Sequence, residues 1–165
     1  MSEIPDNWRL AVAALYHDIG KGLGGHHELI GAEKVTDFCR AFGLDEATTD
    51  FIAFLVREHL TMSLTAQKKD ISDPEVVRRF ADIVKTKERL GALYLLTVSD
   101  IRATSPKVWS PWKAQLLESL YRSTLAMLQG EDTAVSTEHT LAERKTRALE
   151  ILGESVPAKT REAFW

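Results

Sequence analysis

Hydrophobic positions recur at helical spacing along most of this chain. The segment "NWRLAVAALY", residues 7–16, is apolar on most sides and predicts a buried helix. Residues 27–42 place Leu29, Ala32, Phe38, Cys39 and Phe42 on one face of a second helix. "GLDEATTDFIAFLVREHL" predicts a third, capped by Asp45, with Ile52, Leu55, Val56 and then His59 along its inward stripe. In "SDPEVVRRFADIV", Asp73 is the expected cap and Pro74 the first helical residue, and Val77, Phe80, Ala81 and Val84 form the stripe. "KERLGALYLLTVSDIRA" is long and mostly apolar, as a central helix should be. "SPWKAQLLESLYRSTLAML" repeats the cap-then-proline start at Ser110 and Pro111, with Trp112, Leu116, Leu120 and Met127 as its stripe. A last helix is expected after Thr140, where Thr140 and Glu143 fit a capping box. "SDIRATSPKVWSP" and "QGEDTAVSTE" read as loops. No stretch sustains a period of two, so the pattern predicts an all-α fold without a sheet.

Composition narrows the partners. A length of 165 residues suits one domain, which can bury roughly 70% of its extended-chain surface. The net charge of −3 argues against generic nucleic-acid binding. The single cysteine, Cys39, rules out a disulfide framework and fits a reducing, cytoplasmic setting. It lies between Phe38 and Phe42 at helical spacing and reads as core packing. No apolar run approaches the roughly 20 residues a bilayer crossing needs. "MSEIPDNWRL" lacks the cationic start and apolar stretch of a signal peptide.

The candidate chemistry lies where polar residues interrupt the apolar stripes. "ALYHDIGKGLGGHHELIGA", residues 14–32, holds three of the five histidines, and His17 with Asp18 ends the first apolar run. His59 follows Val56, Leu55 and Ile52 at i+3, i+4 and i+7. Asp100 stands in the same relation to Thr97, Leu96 and Leu93. Taken singly, such a histidine is more often a hydrogen-bonded core residue, and such an aspartate a cap or ion-pair partner. Their coincidence in one helical domain points to a metal centre, because buried charges persist when paired or metal-bound. Imidazole with carboxylate suits divalent ions.

"HDIGKG" with an aspartate on a later helix resembles the HD superfamily of metal-dependent phosphohydrolases. Three segments narrow the resemblance: "LYHDIGKGLGGHHELIGA", "LVREHLTMSLTAQKKDISDPEVV" and "LTVSDIRAT…WSPWKAQLLESLY". In that order they are similar to the HD domain of the uridylyltransferase/uridylyl-removing enzyme family, from about residue 8 to about residue 125. The resemblance implies an HD-type bundle of about six to eight helices, with the domain over residues 1–130 and a helical extension over 131–165. It implies metal ligation by His17, Asp18, His27, His59 and Asp100, with Asp18 bridging two divalent ions, Mn²⁺ or Mg²⁺. It gives Lys21 a catalytic role beside Asp18, one turn on if the helix continues, where it would meet a phosphate oxygen; the alternative is a solvated lysine at a helix end. Lys68 and Lys69 either face an anionic substrate or form a solvated surface. Gly20, Gly22, Gly24 and Gly25 let the backbone turn sharply after the His-Asp pair and are too irregular for a nucleotide-cradling loop. His26 is expected to be a surface or outer-shell residue, and His139 an exposed loop histidine.

The implied activity is removal of UMP from the uridylylated PII signalling protein in nitrogen regulation. The implied neighbours are nucleotidyltransferase and glutamine-sensing domains of a longer chain, of which this sequence shows no pattern. The superfamily's first ligand histidine should precede the His-Asp pair, but residues 1–16 contain none. The expectation is therefore a truncated domain with weak metal binding and hydrolysis, and an apolar groove open to self-association. Two other readings stand beside this one: an HD-type nucleotidase or nucleotide phosphohydrolase, and a non-catalytic helical sensor or docking module.

Overall fold

The structure is a computed structural model that describes residues 7–104 and 108–130. Among the described residues it holds seven helices and no strand. They are α1 (Asn7–Tyr16), α2 (His27–Ala41), α3 (Glu46–Glu58), α4 (Thr61–Lys68), α5 (Pro74–Val84), α6 (Lys87–Thr104) and α7 (Pro111–Leu128). The all-α reading holds. The helix and capping box expected after Thr140, His139 and the 131–165 extension lie outside the described residues.

The helix starts follow the capping chemistry. Asp45 accepts from the Thr48 backbone N–H at 2.8 Å, Asp73 from that of Glu75 at 2.9 Å, and Ser110 from that of Lys113 at 3.2 Å. Each satisfies one of the donors a helix start leaves open. Pro74 and Pro111 open α5 and α7, where no donor is needed.

The core runs through two groups of helices that α6 joins: α3 packs on α1, α2 and α6, and α7 packs on α4, α5 and α6. Val35, Cys39, Ile52, Leu55, Val56, Met62, Phe80, Leu93, Leu117 and Leu120 are fully or almost fully enclosed. α3 is the spine, with Phe51 to Val56 all buried.

Four details depart from the sequence reading. α1 is not enclosed: it packs on α2, α3 and α6, only Ala13 among its described residues is buried, and Leu15 is 74% exposed. On α2, Leu29 and Phe42 face outward, and the inward stripe is Gly31, Ala32, Val35 and Cys39. Phe42 is the residue that ends α2, and it stacks on Phe38 with ring centroids 4.5 Å apart. On α7, Trp112 is exposed rather than part of the stripe. Finally, α3 stops at Glu58 and a separate helix, α4, follows.

Candidate metal centre

α1, α2, α3 and α6 deliver their polar residues to one place. α1 ends at Tyr16, and His17 follows it, its backbone N–H still bonded to the Ala13 carbonyl at 2.9 Å. The chain then turns rather than continuing as a helix. Lys21 is therefore not one helical turn beyond Asp18, yet its ammonium meets Asp18 Oδ2 at 2.6 Å. Gly22, Gly24 and Gly25 have φ of 83°, 79° and 80°, which only glycine adopts at little cost. Gly20 serves a different purpose. A Cβ there would overlap the His27 carbonyl oxygen and lie 3.0 Å from the His27 Cα, so its bare backbone lets the start of α2 come close to the His-Asp pair. Gly31 does the same beside α3, with Val56 Cγ1 at 3.0 Å from a would-be Cβ.

Two ligand sets result, and they share one residue. His17, Asp18 and Asp100 form one; Asp18, His27 and His59 form the other; within each set the ligand atoms lie within 4.8 Å of one another. His17 Nε2 is 3.3 Å from Asp18 Oδ2 and 3.4 Å from Asp100 Oδ1. Asp18 Oδ1 is 3.7 Å from His27 Nε2 and 3.8 Å from His59 Nε2. The rings of His17 and His27 each stand edge-on to His59 at 5.2 Å between centroids.

The donor set fits a divalent cation on two further counts. His17 Nε2 and Asp18 Oδ1 are buried polar atoms without a hydrogen-bond partner, which is costly unless something else satisfies them. The histidine tautomers are also set. His17 Nδ1 donates to the Ala14 carbonyl and His59 Nδ1 to the Val56 carbonyl, both at 2.7 Å, so each ring turns a lone pair on Nε2 toward the centre. His59 is 3% exposed, and burial pulls its pKa down, favouring the neutral imidazole that can ligate. Burial pushes the Asp18 carboxyl up, but the Lys21 hydrogen bond and the charges of His17, Lys21 and His59 outweigh it and hold the group below the usual carboxylate range. Asp18 is thereby an anion ready to ligate.

All five residues expected as ligands therefore converge. Lys21 joins them through Asp18. Lys68 and Lys69 do not: they are exposed at the end of α4, and no contact links them to the centre. His26 is a surface residue, as expected, but its Nδ1 bonds Glu28 Oε1 at 2.9 Å. Glu28 escaped the sequence reading. Its other oxygen, Oε2, lies 3.4 Å from His27 Nδ1. Its carboxyl is held below the ordinary range, chiefly by its own backbone N–H; burial opposes this, and His26 and then His27 add smaller lowering effects. In the sequence it looks like any acid in a first helical turn; its place directly after His27 was the available signal.

Comparison with known proteins agrees with this geometry. The family model described as "HD domain" matches residues 2–87. That span includes His17, Asp18, His27 and His59 and stops short of Asp100, which the geometry adds. The chain is 52% identical over 159 residues to a bifunctional uridylyltransferase/uridylyl-removing enzyme of Burkholderia thailandensis, covering 96% of this chain and 18% of the relative. It is 51% identical over 166 residues to the enzyme of the same name in Bordetella avium, covering 100% of this chain and 19% of the relative. The chain thus spans less than a fifth of the curated relatives it matches. No solved structure matches it.

Proposed function

The chain belongs to the HD-domain family, and from that premise we propose that it is a metal-dependent phosphodiesterase domain that removes UMP from the uridylylated PII protein. The observation that carries the reading is the sharing of Asp18 between the two ligand sets. What supports the substrate is the printed name of the relatives, which are uridylyl-removing enzymes.

His17, Asp18 and Asp100 would hold one divalent ion, Mn²⁺ or Mg²⁺, and Asp18, His27 and His59 a second. Such ions, when bound, lower the pKa of a water and polarise the phosphoryl group. The protein's own part is placement. Asp18 offers a different oxygen to each set. The backbone-anchored rings of His17 and His59 keep their lone pairs aimed inward. Lys21, catalytic in this reading, carries its ammonium at the rim, where it can stabilise charge building on a phosphoryl oxygen. Lys68 and Lys69, at the end of the helix that follows His59, would attract the anionic substrate over a longer range. In the reaction, water adds to phosphorus and the bond from phosphorus to the tyrosine oxygen breaks. The tyrosine oxygen leaves with a proton, giving PII and UMP.

The partners in this reading are uridylylated PII and the nucleotidyltransferase and glutamine-sensing domains of a longer chain, in the cytoplasm. No helix among the described residues is long and apolar enough to cross a membrane. The test is UMP release from uridylylated PII with Mn²⁺, in this chain and in a full-length relative, with Asp18→Ala in each. Loss of UMP release with transferase activity retained supports the proposal. Hydrolysis unchanged by Asp18→Ala would favour a docking module, and hydrolysis of free nucleotides but not of uridylylated PII would favour a nucleotidase.

A further inference from the structure

We infer that Glu28 is a positioning residue of the centre: its carboxylate, itself held by His26, fixes the His27 ring with Nε2 turned toward Asp18 and His59. The inference rests on the metal-centre reading above and adds to it a residue outside the ligand sets.

His17 and His59 need no such help. Each follows the last residue of a helix, and in each the Nδ1 donates to the carbonyl three residues back, at 2.7 Å. The helix backbone supplies that acceptor whatever the neighbouring side chains are. His27 is placed differently. It opens α2, and the residues before it run through a turn in which Gly24 and Gly25 have positive φ. No preceding helical turn presents it with a carbonyl. The group facing its Nδ1 is the Glu28 carboxylate, with Oε2 at 3.4 Å.

That carboxylate is also placed in turn. Its side chain is only 21% exposed, yet it is charged, and a largely enclosed charge needs partners. It has one imidazole on each oxygen: His27 Nδ1 on Oε2, and the outer ring of His26 on Oε1 at 2.9 Å. A proton on His27 Nδ1 would face that anion, and the ring's lone pair would then sit on Nε2. That atom lies 3.3 Å from His59 Nε2 and 3.7 Å from Asp18 Oδ1. A carboxylate behind a ligand histidine fixes the ring's orientation and raises its basicity. His26, expected as a surface or outer-shell residue, is thereby the residue that holds Glu28.

The test uses this chain in its metal-free form, read by ¹⁵N chemical shifts of the histidine rings, and then titrated with Mn²⁺ by calorimetry. His27→Gln assigns the His27 signals. Wild type should show His27 protonated on Nδ1. Glu28→Ala should shift His27 toward a mixture of tautomers, leave the His17 and His59 signals in place, and weaken Mn²⁺ binding by about 10–100-fold. Glu28→Gln, which keeps an acceptor oxygen, should restore much of the tautomer, and His26→Ala should show a smaller shift of the same kind. A His27 tautomer unchanged in Glu28→Ala overturns the inference, whatever the Mn²⁺ affinity. A wild type that takes up no Mn²⁺ while His27 still follows Glu28 refutes the metal centre and leaves the placement of His27 standing.

Discussion

The Nε2 atoms of His27 and His59 face each other across 3.3 Å, while each ring turns its other nitrogen to an oxygen, of Glu28 and of Val56 respectively. With the His27 tautomer inferred above, two lone pairs meet at that distance and repel, and a cation between them would convert the repulsion into coordination. Mn²⁺ should therefore stabilise the fold itself. An excess of 100-fold over Kd contributes about 2.7 kcal/mol, or about 5–10 °C in melting temperature for a domain of this size. EDTA should reverse the rise. His59→Ala should remove the response to Mn²⁺, separately from any loss of baseline stability caused by the cavity. A wild-type melting curve indifferent to Mn²⁺ would count against the centre.

Asp18 and Asp100 should differ in kind. Asp18 belongs to both ligand sets, and Asp100 only to the one with His17. Asp18→Ala should lower hydrolysis by more than about 100-fold, since even groups behind the ligands cost about 10–100-fold, and should reduce Mn²⁺ binding at both positions. Asp100→Ala should spare the position formed with His27 and His59. Mn²⁺ stoichiometry by calorimetry distinguishes the two; equal loss in both variants would mean that the sets are not separable.

Four of the five candidate ligands, His17, Asp18, His59 and Asp100, were legible in the sequence because they break apolar stripes, whereas His27 entered only through the family resemblance. His59 and Asp100 occupy positions that helical spacing reserves for the core, and the structure puts them at its edge. Glu28 was not legible, because it sits on a helix face where an acid is ordinary. The end of α3 was hidden for a related reason. The stripe of Ile52, Leu55, Val56 and His59 runs on into Met62 and Ala66, which are also buried. His59 and Leu60 keep right-handed helical dihedrals, with φ of −58° and −86°. The helix is interrupted there without a proline or glycine to mark it. α1 misled through composition: an apolar helix suggests enclosure on all sides, but its described contacts cover one face, leaving Trp8 and Leu15 exposed.

Acid should weaken the anchor of α3, the helix that leads into His59. The Asp45 carboxylate accepts from the Thr48 backbone N–H at 2.8 Å and from its hydroxyl at 2.7 Å. The backbone bond is the main cause that holds its pKa below the ordinary value of 3.8, with the hydroxyl next. A carboxyl whose folded pKa is depressed stabilises fully above its unfolded value and loses that contribution as pH falls through the folded one. Asp45→Ala should therefore melt a few degrees below wild type near neutral pH. The gap should narrow steadily once the pH drops below about 4. A gap that stays constant down to about pH 2 would show that the cap does not depend on the charge.

Gly20 and Gly22 test whether the close approach of α2 or the turn itself places His27. A Cβ on Gly20 collides with the His27 backbone, which cannot swing aside as a side chain would. A Cβ on Gly22 meets nothing within 4 Å, but the backbone there has a φ of 83°. Both Gly20→Ala and Gly22→Ala should destabilise, the first by about 1–3 kcal/mol through overpacking and the second by about 1–2 kcal/mol through left-handed strain. Their effects on the centre should part. Gly20→Ala pushes His27 away from Asp18 and should weaken Mn²⁺ binding by about 10-fold or more, on the scale of losing a group that orients a ligand. Gly22→Ala leaves the contact between residue 20 and His27 in place and should bind Mn²⁺ within a few-fold of wild type. Chemical denaturation gives the stabilities and calorimetry the affinities. Equal losses of affinity in the two variants would mean that the turn as a whole, rather than the bare backbone at Gly20, sets the position of His27.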